Sequence, residues 1–203
     1  DFTAISMVAT APQVLVVPAA SPIKSVRELI DTAKGNKKGL SYATSGVGTS
    51  QHLAGLLLGN MEKIPLTHVA YRGGAPALTD VVGGQIDWCI LVLSNTLPYI
   101  QNGKLRALGV VENHRSKSAP DVPTLAESGI TGFAIPDTWV GILGPAGMPA
   151  AVVQRLNGAI SGALKNADVR AQLQKGGYEI VDSTAEAFTA QLSESVQFYQ
   201  TIV

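Results

Sequence analysis

The stretch SYATSGVGTSQHLAG, Ser41 to Gly55, gathers residue types that grip or attack a small molecule. Gly46 and Gly48 stand among Ser45, Thr49, Ser50 and His52, where a strand-like run passes into a helical one. A nucleotide cradle requires GxxxxGKS or GxxxxGKT, and no lysine follows Gly48; a dinucleotide fingerprint requires GxGxxG, and Gln51 stands in place of the third glycine. A hydrolase elbow reads GxSxG, which is absent, although Ser45, Ser50, His52 and Asp80 supply the residue types of a triad. An anion grip asks for less. Glycines let the backbone approach closely, and the first N–H groups of a helix starting at Ser50, together with hydroxyls, hold negative charge without a charged side chain. The structural alternative is that Thr49 or Ser50 only caps that helix.

A second stretch, YRGGAPALTDVVGGQID, repeats the layout: a strand ending at Tyr71, a Gly73–Gly74 turn, and Ala75 and Pro76 opening a helix, with Pro76 suited to its first position. In a parallel sheet both turns lie at the carboxyl ends of strands, where α/β proteins bind ligands, so two helix starts would face one small anion. His52, His68 and His114 have no metal-ligand spacing, and His52 reads as a polar cap or a solvent contact. Trp88 reads as core, and Trp139 as either core or a ligand platform. Cys89 is the single cysteine and lies in an apolar run, as an inert buried thiol would.

These residues need elements to position them. Strand patterns fall at Val14–Val17, Leu40–Thr44, Thr67–Tyr71, Ile86–Leu93 and Leu105–Val111, alternating with helical patterns, and so predict an α/β fold. Ser25 with Glu28, Thr124 with Glu127, and Ser183 with Glu186 have capping-box spacing. After Val111 the run ENHRSKSAPDVP is polar and predicts a lobe boundary. A strand pair is expected around Phe133 to Leu143, and a final helix with Phe188, Leu192, Val196 and Tyr199 on one face. That helix should dock against something, and the second half offers few strands for its helices to cover.

The 203 residues carry fifteen Lys plus Arg against fifteen Asp plus Glu, and no stretch concentrates either sign, which argues against a nucleic-acid surface. With 46% hydrophobic residues the chain can build a substantial core, while its longest apolar runs are too short to span a bilayer.

The stretches YATSGVGTSQHLAG, HVAYRGGAPALTDVVGGQID, NGKLRALGV, PDVPTLAESG and TWVGILGPAGMP, in that order, resemble the substrate-binding receptors of tripartite tricarboxylate transporters, the Bug-type periplasmic solute-binding proteins. The resemblance implies a periplasmic-binding-protein type II-like α/β fold of two lobes, with a mainly parallel sheet in each. It implies a small carboxylate closed between the lobes, delivery to membrane transporter subunits, and no catalysis and no cofactor. Residues 1–9 would be a crossing strand, 10–110 the second lobe, and 111–203 the C-terminal part of the first. Family members have an N-terminal segment that this sequence lacks, so an incomplete first lobe and dimerisation through it are expected. Ser45, Gly46, Gly48, Thr49 and Ser50 match the loop that grips a ligand carboxylate; Tyr71, Gly73, Ala75 and Pro76 match the second helix-start loop; Trp139 is the further candidate. Where the family commonly has Asp or Asn after GGQID, this chain has Leu91 and Val92, which favours a plain or aromatic carboxylate over an amino acid. Two other readings stay open: a serine hydrolase using Ser50 or Ser45 with His52, and a ligand-free sensory or interaction module on the same scaffold.

Overall fold

Apolar strands and capped helices alternate along the chain as the sequence pattern predicts. The computed structural model describes residues 1–133 and 135–202. The order is β1 (Phe2–Thr10), β2 (Gln13–Pro18), α1 (Val26–Gly35), β3 (Leu40–Thr44), α2 (Ser50–Glu62), β4 (Leu66–Ala70), α3 (Gly74–Val82), β5 (Trp88–Val92), α4 (Leu93–Gln101), β6 (Leu105–Val110), β7 (Trp139–Pro145), α5 (Ala150–Leu164), α6 (Ala167–Lys175), β8 (Glu179–Ile180) and α7 (Ala185–Gln200). Contacts divide these into two units, Pro12–Pro136 and Asp1–Ala11 with Asp137–Val203.

The Pro12–Pro136 unit holds a five-stranded sheet in the order β4-β3-β5-β2-β6. Both of its faces are covered, which is why Val14, Leu15, Val16 and Val17 form a continuous apolar run, all of them fully buried. Val14, Val16, Ala43, Cys89 and Leu91 pack with Ala77, Leu78 and Val81 of α3. The alternate residues Tyr42 and Trp88 stack with ring centroids 4.9 Å apart, so Trp88 is core as expected. Ser25 caps α1 by accepting from the Glu28 N–H at 3.1 Å, while the Glu28 carboxylate takes the Lys24 N–H at 2.7 Å.

Several expectations change. The sheet directions are mixed, not mainly parallel. β3 runs parallel to β4 and β5, but β2 is antiparallel to β5 and β6. In the other unit the described sheet, β7-β1-β8, is wholly antiparallel. The reason is connectivity: β1 carries the chain out of this unit and β7 brings it back alongside, with the Ala11 N–H donating to the Thr138 carbonyl at 2.7 Å. The polar run after Val111 is a loop, not the end of a unit. Leu125 N–H donates to the Val110 carbonyl at 2.9 Å, and Leu125, Ile130 and Phe133 are buried in the Pro12–Pro136 unit. The Thr124–Glu127 box forms both of its bonds but closes turns without a helix. Helix α7 is capped by Thr184, because Ser183 Oγ accepts the Met7 N–H at 2.8 Å instead. Of the strand pair expected around Phe133 to Leu143, the described residues form β7 alone, and Ala134 lies outside them. On α7, Phe188 is fully buried, whereas Val196 remains 55% exposed.

Cys89 is fully buried, and burial pushes its thiol well above the usual range. Cys89→Ala removes one sulfur from a packed site and should cost about 1 kcal/mol, with anion binding retained. A melting curve beside a titration checks both, since about 1 kcal/mol shifts the midpoint of a chain of this length by about 2–4 °C.

Candidate functional site

Strands β3 and β4 lie side by side and parallel, so the loops that follow them, 45–49 and 71–73, leave the sheet at the same edge. Two backbone bonds fasten the loops together: Tyr71 N–H to the Thr44 carbonyl and Gly73 N–H to the Ser45 carbonyl, both at 3.1 Å. Each loop ends in a helix, so the N-termini of α2 and α3 open next to each other. The two sequence stretches are thus brought together as expected, with one change: Pro76 is the third residue of α3, not the first, where its missing N–H is still harmless.

Thr49 is the cap of α2. Its Oγ1 accepts the His52 N–H at 3.3 Å and donates to the Gly46 carbonyl at 2.8 Å. That cap leaves the N–H groups of Ser50 and Gln51, which have no intrahelical carbonyl to meet. Helix α3 has Gly73 at its cap and no side-chain cap bond, so the Gly74 and Ala75 N–H groups are likewise left without an intrahelical partner. Gly48 and Gly73 have φ of +76° and +111°, and a Cβ on either would meet nothing within 4 Å. Both positions are therefore unobstructed beside the helix starts, an arrangement that lets a small anion approach the first-turn N–H groups.

Buried amides hold the serines. Gln51 Oε1 accepts the Ser45 N–H at 3.3 Å and also takes the Ser45 hydroxyl proton. Gln13, at the first residue of β2 and opposite Val92, donates from Nε2 to Ser50 Oγ at 2.7 Å. Asn95 in the first turn of α4 lies against the second loop, where a Cβ on Gly74 would fall 2.9 Å from its Nδ2. Sequence reading missed Gln13, Gln51 and Asn95. Gln13 and Asn95 are brought to the loops by strand order, and only Gln51 sat within the motif already read.

The residue types of a triad are present but not assembled. Ser50 is bonded to Gln13 and Ser45 to Gln51. His52 Nδ1 accepts the Gly48 N–H at 3.2 Å, the first of the two roles that sequence suggested for it. Its ring stacks on His68 at 4.0 Å. Asp80 Oδ2 accepts the Tyr71 hydroxyl at 2.6 Å. That carboxylate, with burial, pushes the Tyr71 phenol up to about 12 and fixes it as a neutral donor. Among the described residues no group of three or more His, Cys, Asp and Glu could hold a metal ion. Trp139 belongs to the other unit, where its ring meets Phe188 edge-on at 5.0 Å.

His68, bonded to Thr44 Oγ1 at 2.7 Å, has its pKa lowered by burial and then by the His52 charge. With the folded value below the unfolded value of 6.5, the unfolded chain binds the proton first as pH falls. His68's contribution is intact above pH 6.5 and is lost as pH falls from there through the folded value. Melting temperatures between pH 8 and pH 5, the range spanning that titration, should fall less steeply in His68→Gln than in the unmodified protein. Parallel slopes would contradict the half-buried, neutral imidazole.

The family model described as the tripartite tricarboxylate transporter family receptor matches residues 1–203. A UPF0065 protein from the tcbD-tcbE intergenic region of Pseudomonas sp. is 37% identical over 204 residues, covering 100% of this chain and 60% of that protein. A solved structure from R. palustris with adipate superposes with a TM-score of 0.92 at 27% identity, covering 100% of this chain and 67% of that one. MatC from Rhodopseudomonas palustris with bound malate gives 0.90 at 28% identity, with 99% and 69% covered. The fold is the α/β type of the type II periplasmic binding proteins. The chain spans about 60% of the length of that Pseudomonas relative, and among its described residues no helix is long and apolar enough to cross a membrane.

Proposed function

The chain belongs to the tripartite tricarboxylate transporter receptor family, and from that premise we propose that it is a periplasmic solute-binding receptor, not an enzyme. It captures a small carboxylate at the paired starts of α2 and α3 and delivers it to the membrane subunits of a tripartite transporter. The observation that carries this reading is the pair of backbone bonds from Tyr71 and Gly73 to Thr44 and Ser45, which fix two helix starts at one sheet edge. The carboxylate would be held by the N–H groups of Ser50, Gln51, Gly74 and Ala75 and by the Ser50 hydroxyl. Gly46, Gly48 and Gly73 give access, Ser45 and Thr49 shape the first loop, and Tyr71 and Pro76 shape the second. Trp139 is a further candidate contact.

Relatives of known structure hold adipate and malate, and dicarboxylates of that size are the ligand class we assign. An ammonium-bearing ligand is disfavoured. Leu91 is buried and apolar, and Asp80 is already committed to the Tyr71 hydroxyl. A thermal-shift panel of adipate, malate, benzoate, aspartate and the neutral diamide of adipate tests the assignment. Adipate, malate or both should raise the melting temperature more than benzoate does. Stabilisation by aspartate or by the diamide alone would refute it.

A further inference from the structure

The hydroxyl of Ser50 is oriented from the neighbouring strand. Gln13 is fully buried, and its side-chain amide donates to Ser50 Oγ at 2.7 Å. The pairing of Gln13 with Val92 at the end of β5 brings this amide to the sheet edge from which the loops emerge. A serine hydroxyl has one proton and two lone pairs. Once a lone pair receives an amide N–H, the proton is left to be given elsewhere, and among the described residues Ser50 Oγ gives it to none. Gln51 does the reverse for Ser45, whose proton goes to Gln51 Oε1.

An ionised carboxylate only accepts hydrogen bonds, so it selects between these two serines. We propose that Gln13 is a positioning residue for anion binding: it fixes Ser50 as a hydrogen-bond donor at the start of α2, so that Ser50, and not Ser45, gives its proton to the carboxylate. This rests on the receptor reading above. Gln13 itself does not touch the ligand.

The test is a double-mutant cycle by calorimetry, with adipate and then malate as probes, on the unmodified chain, Gln13→Met, Ser50→Ala and the double variant, each with a melting curve. Gln13→Met and Ser50→Ala should each weaken binding at least tenfold, about 1.4 kcal/mol. The double variant should bind no more weakly than Ser50→Ala alone, because Gln13 acts through that hydroxyl. Gln13→Glu keeps the shape but reverses the bond, drawing the Ser50 proton to itself, and should lose at least as much as Gln13→Met. Gln13 variants of unmodified affinity, or losses that add in the double variant, would overturn the positioning role while leaving the receptor reading intact. Failure of the unmodified chain to bind either probe would overturn the receptor reading and this proposal with it. If both Gln13 variants are unfolded at the working temperature, the Gln13 side-chain amide resonance of the unmodified protein decides. It should move on saturation with the bound probe and stay still in Ser50→Ala, and an unmoved resonance in the unmodified protein overturns the proposal.

Discussion

Gly48→Val is expected to weaken carboxylate binding at least a hundredfold, about 2.7 kcal/mol, in a chain that still folds. A Cβ at this position meets nothing within 4 Å, so the branched side chain would stand in open space at the start of α2, in the path proposed for the anion. The fold is not untouched, because φ at Gly48 is +76° and an L-residue held there costs roughly 1–2 kcal/mol. Against a typical stability of about 5–15 kcal/mol, that penalty lowers the melting temperature without unfolding the domain. Gly48→Ala carries a similar backbone penalty with less bulk, so comparing the two by calorimetry and melting separates strain from obstruction. Valine binding as well as alanine would show that obstruction has no part in the effect.

Gly55→Ala should lower the stability of this unit although it adds only a methyl. Gly55 lies on the buried face of α2, and a Cβ there would fall 2.3 Å from Tyr42 Cε2, closer than real carbon contacts approach. Two effects oppose each other. Replacing a helical glycine by alanine gains up to about 1 kcal/mol of propensity, whereas forcing a methyl into a packed core costs about 1–3 kcal/mol. Tyr42 decides the sign. It is 1% exposed, stacked on Trp88 on one side and against His68 on the other at 4.9 Å, and has nowhere to swing. The clash wins, and α2 must lift, taking with it the N–H groups proposed to hold the carboxylate. A melting temperature lower by several degrees, together with weaker adipate binding, is the expected result. A more stable Gly55→Ala protein would mean that Tyr42 yields.

Much of this was legible in the sequence. The strand runs at 14–17, 40–44, 67–71 and 105–111 stand within about a residue of the strands in the structure, and the run in β2 is the best fixed because it is buried on both faces and its apolar pattern has little room to slip. The two glycine-bearing helix starts were legible for the same local reason, since positive φ and cap geometry are written in neighbouring residues. What depends on distant pairing was not legible. Nothing near Gln13 in the chain announces that it will meet Ser50, and β2 reverses direction against β5 with no local sign. The polar loop after Val111 looked like a boundary because Leu125, Ile130 and Phe133, which anchor it back onto the Pro12–Pro136 unit, are too widely spaced to form a periodic pattern.

The claim that two neighbouring helix starts grip one carboxylate is tested most directly by following backbone amides. Isotopically labelled protein is titrated with adipate, and in parallel with its neutral diamide, while the amide resonances of the chain are recorded. Saturable shifts at Gly48, Thr49, Ser50, Gln51, Gly73, Gly74 and Ala75 with adipate, and none of that size with the diamide, are predicted. Shifts confined to one loop, shifts centred elsewhere in the chain, or equal responses to acid and diamide would contradict it.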